Sequence, residues 1–384
     1  MIRSSLTSLD EPYWHLEPDY SEEVARRLRQ ALALLAQAHT RPDAYLKIHE
    51  VAFSCLGLSM SVRQRMCVFY FLGVAFLGGE SPKVGIACLD EAAEHARTIG
   101  DWVSKAQLEH LKGAAYREAT RYSGAITALQ TGLEVLREAY SGDQAEVAEL
   151  EIDLLTGVAD CAYLLDDRST AREYIFEARS LLLHLPELGT YVATIDWFDA
   201  LILRWDGKPE EALRRAMAAC DAYAQAMLPT QRISYGRLQT VITDIALDLA
   251  EGFSAQPPHH ARDSYITLAH PYITRALEVA DRMSDEIGEM LALLAQARFD
   301  RAAGRDMETT KTIATVVERA EKIGDIPLLA QAHTALGHDL LASGWTDAGL
   351  NSYRRTLDIL RGTDVPAMGK WARDGLIAAS KRYG

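Results

Sequence analysis

The residues best suited to chemistry are few and poorly assembled. His259, His260 and Asp263, in the stretch GFSAQPPHHARDS, are of types that ligate zinc-like cations. Adjacent histidines point in different directions and one carboxylate does not complete a site, so a solvated loop is expected there. GTDVPAMGKW, residues 362–371, has the glycines and lysine of a phosphate cradle. Its glycines stand too far apart for G-x-x-x-x-G-K-[ST], and Trp371 replaces the hydroxyl that magnesium needs. His333 and His338, five apart on one expected helix, lie on different faces. The chain has no H-E-x-x-H, no paired Cys/His set and no G-x-S-x-G elbow. No convergent nucleophile, base and orienter can be named, so the expectation is a protein that is not an enzyme and holds neither cofactor nor metal.

WDGKPEEALRRA, residues 205–216, is equally suggestive at first sight. It reads better as punctuation. Gly207 suits the left-handed residue that ends a helix, Pro209 the first turn of the next, and Glu210 and Glu211 that helix's positive end.

The 384 residues suffice for a large interior, and 48% hydrophobic with 24% charged residues describes an ordinary folded chain rich in helix formers. The formal charge of −14, from 54 acidic and 40 basic residues, comes without any lysine–arginine run to follow a phosphate backbone. Direct nucleic-acid binding is therefore not expected. Cys55, Cys67, Cys88, Cys161 and Cys220 are scattered, as small buried hydrophobes in a reducing cytoplasm would be. The start has no secretory apolar stretch, and no uncharged run approaches the ~20 residues of a membrane helix.

The elements that must position these side chains are helices: apolar residues recur at i, i+3, i+4 and i+7 from about residue 21 onward, with no convincing strand. Five stretches align: 71–93, 111–133, 158–180, 199–221 and 335–357. Each carries a small residue (Gly73, Gly113, Ala159, Ala200, Gly337) and, twelve later, a second (Gly85, Ala125, Ala171, Ala212, Gly349). Small residues at facing positions let two antiparallel helices approach closely, and such hairpins stack because none buries its apolar face alone. Linkers repeat as well, in HARTIGDWVSKAQ (95–107), RAEKIGDIPLLAQA (319–332) and, more weakly, VADRMSDEIGEMLA (279–292).

This pattern resembles the tetratricopeptide repeat, with its L-G-x-x-Y, A-x-x-x-F and trailing small residue; Leu72-Gly73 with Phe76 and Leu336-Gly337 with Leu340 stand nearest to it. The spacing, 40 positions from Phe76 to Tyr116 and 46 from Tyr116 to Ala162, implies longer helices. Long repeats with an I-G-D junction also look like the arrays of large bacterial transcriptional activators of the MalT type and of peptide-sensing bacterial regulators. The resemblance implies an all-α, right-handed superhelical solenoid of about eight hairpins over 21–361, with a capping helix over 362–384. An extended arm over 1–20 and an inserted loop over 252–264 complete the expected organisation. The prolines of EPYWHLEP keep Tyr13 and Trp14 out of regular helix. That arm is expected to dock on its own first hairpin or in a neighbouring molecule's groove, the latter giving a homodimer.

In the resembled family, ligands are held on the concave face by positions two, five, nine, twelve and thirteen of each repeat. Carried over, these are Tyr70 in the first aligned copy, Gln107, His110 and Arg117 in the second, and Asp153, Asp160 and Tyr163 in the third. Thr194, Trp197, Arg204 and Trp205 follow in the fourth, and Gln331, Thr334 and His338 in the last. Arg298 and Arg301, from a less regular repeat, extend a basic inner strip. Trp197 and Arg204, seven apart, share a helix side, and aromatic and arginine anchors dominate binding hot spots. Either tryptophan could instead pack between neighbouring hairpins. The expected function is non-catalytic binding of a protein or peptide segment. The alternative is a sensor of a small molecule or signalling peptide, acting through a partner because no DNA-reading module can be placed.

Overall fold

The computed structural model of the chain describes residues 16–38, 41, 43–79, 81–139, 144–226, 232–252, 259–305, 308–365 and 368–383. Among them seventeen α-helices follow one another, with no strand. In chain order they pair as α1 (Glu22–Leu35) with α2 (Ala44–Phe53), α3 (Val62–Leu77) with α4 (Pro82–Thr98), and α5 (Trp102–Glu118) with α6 (Tyr122–Glu134). Next come α7 (Gln144–Leu164) and α8 (Arg168–His184), α9 (Val192–Trp205) with α10 (Pro209–Ala226), and α11 (Arg232–Glu251) with α12 (His259–Met283). The series ends with α13 (Glu286–Ala302) and α14 (Thr309–Ile323), α15 (Ile326–Ala342) and α16 (Thr346–Leu360), and the closing α17 (Met368–Tyr383). Eight helix pairs and a final helix are the all-α repeat array that the spacing implies. The chain divides into two compact units, 1–158 and 159–384, the boundary falling within α7. No helix among the described residues is long and apolar enough to cross a membrane.

The small residues act as the pattern requires. A Cβ on Gly73 would lie 2.7 Å from Leu89 Cδ2, and one on Gly85 2.9 Å from the Gly73 carbonyl, so α3 and α4 touch backbone to backbone. Gly337 and Gly349 repeat the arrangement in α15 and α16, where a Cβ on Gly337 would meet the Tyr353 ring at 2.5 Å. Around these contacts, core clusters form from neighbouring helices: Leu28, Ile48, Phe71 and Leu89 in the first unit, and Ala200, Ala216, Tyr223 and Ile242 in the second. Cys55, Cys67, Cys161 and Cys220 are buried and Cys88 half-buried.

The punctuation has a physical reading too. Gly207 takes φ +73° and the Lys208 amide donates to the Leu203 carbonyl at 3.0 Å, closing α9, after which Pro209 opens α10. In the I-G-D junctions the glycine ends one helix and the aspartate caps the next. Gly100 has φ +70° and Asp101 accepts from the Ser104 amide at 3.0 Å; Gly324 has φ +78° and Asp325 accepts from the Leu328 amide at 2.8 Å. In the weaker copy Ser284 takes the left-handed place, while the Asp285 carboxylate is held at 3.0 and 3.1 Å by Arg237.

The inserted loop is shorter than expected. α12 begins at His259 rather than near Tyr265, because the polar residues from His259 onward are compatible with helix. Residues 253–258 lie outside the described residues, as do the His259 and His260 side chains, the Trp371 side chain and Tyr13 and Trp14 of the arm. Of the arm's end, Glu17 pairs with Arg63 at 2.8 Å.

Candidate functional site

In the second unit the first helices of successive pairs also touch one another, α9 with α11, α11 with α13 and α13 with α15. α11 lies in the middle of this row. Its Asp244, Asp248 and Glu251, spaced four and three apart, fall on one stripe. Arg204 on α9 grips Asp248 with Nε to Oδ2 at 2.6 Å and Nη2 to Oδ1 at 3.2 Å. From the other side, Arg298 on α13 donates to Asp248 at 2.7 Å, to Glu251 at 2.7 and 3.2 Å and to the Asp244 carbonyl at 3.3 Å. The Asp244 carboxylate meets the guanidinium groups only at 3.7 Å (Arg204) and 3.5 Å (Arg298). Two arginines and three acids thus tie three helices together as a ladder. The aromatic pair Tyr163 and Trp205, edge to face with centroids 4.5 Å apart, stands beside it.

The ladder is mostly buried but keeps some access to solvent. Arg204, Asp248, Arg298 and Asp244 keep side-chain exposures of 12, 9, 19 and 20%, whereas the adjoining core clusters are assembled from hydrophobic residues. Desolvation is nevertheless the largest influence on each group's charge. At Asp248 it is overcome by Arg204 and Arg298, which hold the carboxyl below its usual range. At Asp244 desolvation prevails over the same two arginines and pushes the carboxyl up. Burial would lower both guanidinium groups, but the surrounding carboxylates keep them raised and fully charged. Burial also pushes the Tyr163 phenol up to about 12, with smaller influences from the charges of Arg204, Asp160, Asp248 and Asp244.

The structure distributes the expected site residues unevenly. It gathers Tyr163, Arg204, Trp205 and Arg298 around the α11 acids, with Asp160 close enough to act on Tyr163. The basic strip expected from Arg298 and Arg301 is corrected: Arg298 is neutralised by α11, and Arg301 lies 3.5 Å from the fully buried Asp339. Trp205 packs between hairpins, with the Arg168 guanidinium 4.9 Å from its ring and Arg168 bonded to its carbonyl. Trp197 leans on the core cluster of α9 to α11, and its indole N–H is buried with no acceptor among the described residues. Thr194 bonds the Tyr223 hydroxyl at 2.8 Å. His338 Nδ1 and the Tyr353 hydroxyl share a hydrogen bond of 2.6 Å, and desolvation with the charges of Arg301 and Arg298 brings His338 down to about 4. Gln331 is half-buried. Two expectations are corrected outright: Tyr70, edge-on to Phe71, is 6% exposed and Thr334, bonded to the Ala330 carbonyl, 5%, so both are core positions.

In the first unit Gln107, His110, Arg117 and Asp153 are half-buried. Desolvation and Arg117 bring His110 down to about 4, and burial with Glu149 pushes Asp153 up to about 7. The Gln107 carbonyl oxygen is buried and accepts no hydrogen bond among the described residues. Sequence reasoning missed Asp244, Asp248 and Glu251, although their spacing of acids on one helix face was a usable signal. A separate open cleft of about 520 Å³ lies at the ends of α12, α13 and α14, its Asp285 and Glu289 already held by Arg237 and Arg319.

No protein-family model matches the chain, and no curated protein is similar to it in sequence. Solved structures are similar in fold. A Rap protein complexed with Competence and Sporulation Factor matches with TM-score 0.66 and 11% identity, over 94% of this chain and 91% of that one. Aspartyl phosphate phosphatase F from Bacillus subtilis matches with TM-score 0.62 and 11% identity, over 94% and 89%. The Rap conjugation gene regulator of plasmid pLS20, in complex with the Phr* peptide, matches with TM-score 0.54 and 11% identity, over 94% and 95%. The chain therefore has the fold of tetratricopeptide-type helical-repeat proteins.

Proposed function

We propose that this protein is a peptide-sensing regulator that binds an extended peptide segment on the face formed by α9, α11, α13 and α15. The observation that carries this reading is the ladder itself: five charged groups from three helices, desolvated yet still accessible, beside the Tyr163–Trp205 pair. Desolvated charges and aromatic rings in a recess discriminate strongly among ligands, because a wrong group leaves a charge without its partner. The fold agrees with this, since two proteins similar to it were solved with Competence and Sporulation Factor and with the Phr* peptide. One similar structure is a phosphatase, but the recess presents arginines committed to carboxylates rather than a nucleophile beside a base, so we read binding and not catalysis. The partner through which a signal would pass is a protein met in the cytoplasm.

The test is selection of displayed random heptapeptides on the immobilised full chain. Enriched sequences should bind the wild type and lose at least about tenfold in affinity to Arg298→Met, assayed where circular dichroism shows the variant folded, because the change breaks the arrangement of charges that the peptide reads. Absence of enrichment, or equal binding by the variant, would overturn the reading.

A further inference from the structure

The chain enters its first hairpin through a non-helical stretch that is fastened several times over. The Ser21 amide donates to Gln64 Oε1 at 2.9 Å and Gln64 Nε2 to the Ser21 carbonyl at 2.7 Å, which bolts the start of α1 to the start of α3. Upstream, the Tyr20 amide closes a turn on the Glu17 carbonyl at 3.2 Å, with Asp19 at φ +62°, and the Glu17 carboxylate pairs with Arg63 at 2.8 Å. Leu16 is thereby held beside the first turn of α3. The last turn of α2 lies at this end too, since Arg27 on α1 donates to the Ser54 carbonyl at 2.9 Å. Four apolar side chains meet solvent here: Leu16, Phe53, Leu56 and Val62 are 69, 59, 43 and 40% exposed, although Phe53 stacks on His49. Single exposed hydrophobics need no explanation, but four on neighbouring segments around a fastened stretch mark a docking face.

We propose that this face seats the chain's own residues 12–15, with the rings of Tyr13 and Trp14 lying on Phe53, Leu56 and Val62. These arm residues lie outside the described ones, but Leu16 fixes their reach. Two extended residues span about 7 Å and three about 10 Å, so Trp14 and Tyr13 stay within those distances of Leu16 whatever course the arm takes. The exposed apolar groups at this end are therefore the surface that two large rings meet first, and a tryptophan or tyrosine at such a rim buries its ring while its polar end keeps its contact with water. The fastening also selects the chain's own segment over a second molecule. A segment tethered two residues from its seat has an effective concentration in about the millimolar range, which a second copy would have to exceed. The arm is then a built-in cover of the first hairpin. The seat is made by the first unit alone and is independent of the peptide-binding reading.

The test replaces Trp14 in the full chain by the photoreactive p-benzoylphenylalanine. Irradiation should join this position to Phe53, Leu56 or Val62, mapped by mass spectrometry, in a product that migrates as a monomer. Phe53→Ser combined with Val62→Ser should lose that product. Both side chains are exposed, so the core is left intact, and circular dichroism reports that the variant is folded. A chain labelled with fluorotryptophan gives a reading without cross-linking: the fluorine resonance that disappears in Trp14→Phe should shift when Phe53 and Val62 become serine. A product of dimer mass would give the face to a second copy and overturn the proposal. So would a product on other residues, the absence of any product, or a product or fluorine resonance that the two serines leave unchanged. Should the double variant fail to fold, the cross-link map of the otherwise unaltered chain decides alone.

Discussion

Replacing Asp153 by asparagine gives a direct test of whether the inner helix face of the first unit is desolvated. Burial and Glu149 push this carboxyl from its ordinary 3.8 up to about 7 in the folded chain. An acid with a raised folded pKa binds more protons when folded than when unfolded, so its stabilising contribution is complete below the unfolded pKa and is lost as pH rises towards 7. A tenfold difference in proton affinity between the folded and unfolded chain is worth about 1.36 kcal/mol, so the window between pH 5 and pH 7 holds roughly 3 kcal/mol, and partial access of water brings the expectation down to about 1–3 kcal/mol. Wild type and Asp153→Asn would be unfolded in urea, followed by circular dichroism, at pH 5, 6, 7 and 8. Taking the difference between the two proteins cancels every other titrating group. The asparagine variant should gain on wild type by that amount as pH rises from 5 to 7, with only about 0.4 kcal/mol more by pH 8. Parallel stability curves would mean a solvated carboxyl and would refute the desolvation of this face.

His338 carries the opposite sign: its folded pKa, brought down to about 4, lies below the unfolded value, so its contribution is present at neutral pH and is lost as pH falls from about 6.5 towards 4. His338→Gln should therefore flatten the acid limb of a thermal-melt pH profile, and an unchanged limb would count against it. Arg298→Met leaves mostly buried carboxylates on α11 short of charge and should cost about 3–5 kcal/mol in urea unfolding, with Asp248→Asn added to it recovering part of the loss. Gly337→Ala forces a Cβ against the Tyr353 ring and should cost about 1–3 kcal/mol, whereas at Gly57, where nothing lies within 4 Å, the same change should be nearly neutral.

The hairpin array was legible because its determinants are local and repeated. A small residue facing another small residue twelve positions on, a glycine at a left-handed φ and an aspartate capping the next helix are each written in a few residues, as Gly73, Gly100 and Asp101 show. The face was harder to read. Repeat position five, taken as ligand-facing, turns into the seam between helices at Tyr70 and Thr334, which are buried. Position twelve stays accessible at Arg117, Tyr163, Arg204 and Arg301. Half of the ladder was also invisible, because the repeat of α11 lacks the small-residue signature and its register could not be set. Arg204 was found, while its partner 44 residues away was not. Long-range ion pairing leaves no local pattern, so arginines that look basic in sequence proved to be neutralised.

The ladder's composition separates binding from stability. Buried ion pairs gain little over well-packed apolar residues of similar size, so three helices could be joined at least as firmly by leucine and methionine. Core clusters of the second unit do just that, with Ala216, Ile242 and Leu249 in one and Met290, Leu294 and Val316 in another. Charges appear instead where the helix row remains open to solvent. If the ladder served only to hold the helices, replacing it by apolar residues would be harmless in every assay. Replacing Arg204 and Arg298 by methionine, Asp244 and Asp248 by leucine and Glu251 by glutamine together should leave the free energy of urea unfolding within about 1 kcal/mol of wild type or raise it, since none of the five ladder charges is left behind without its partner. The same variant should lose all selected-peptide binding. A variant that loses stability by several kcal/mol but still binds would reverse the assignment and make the ladder a structural brace.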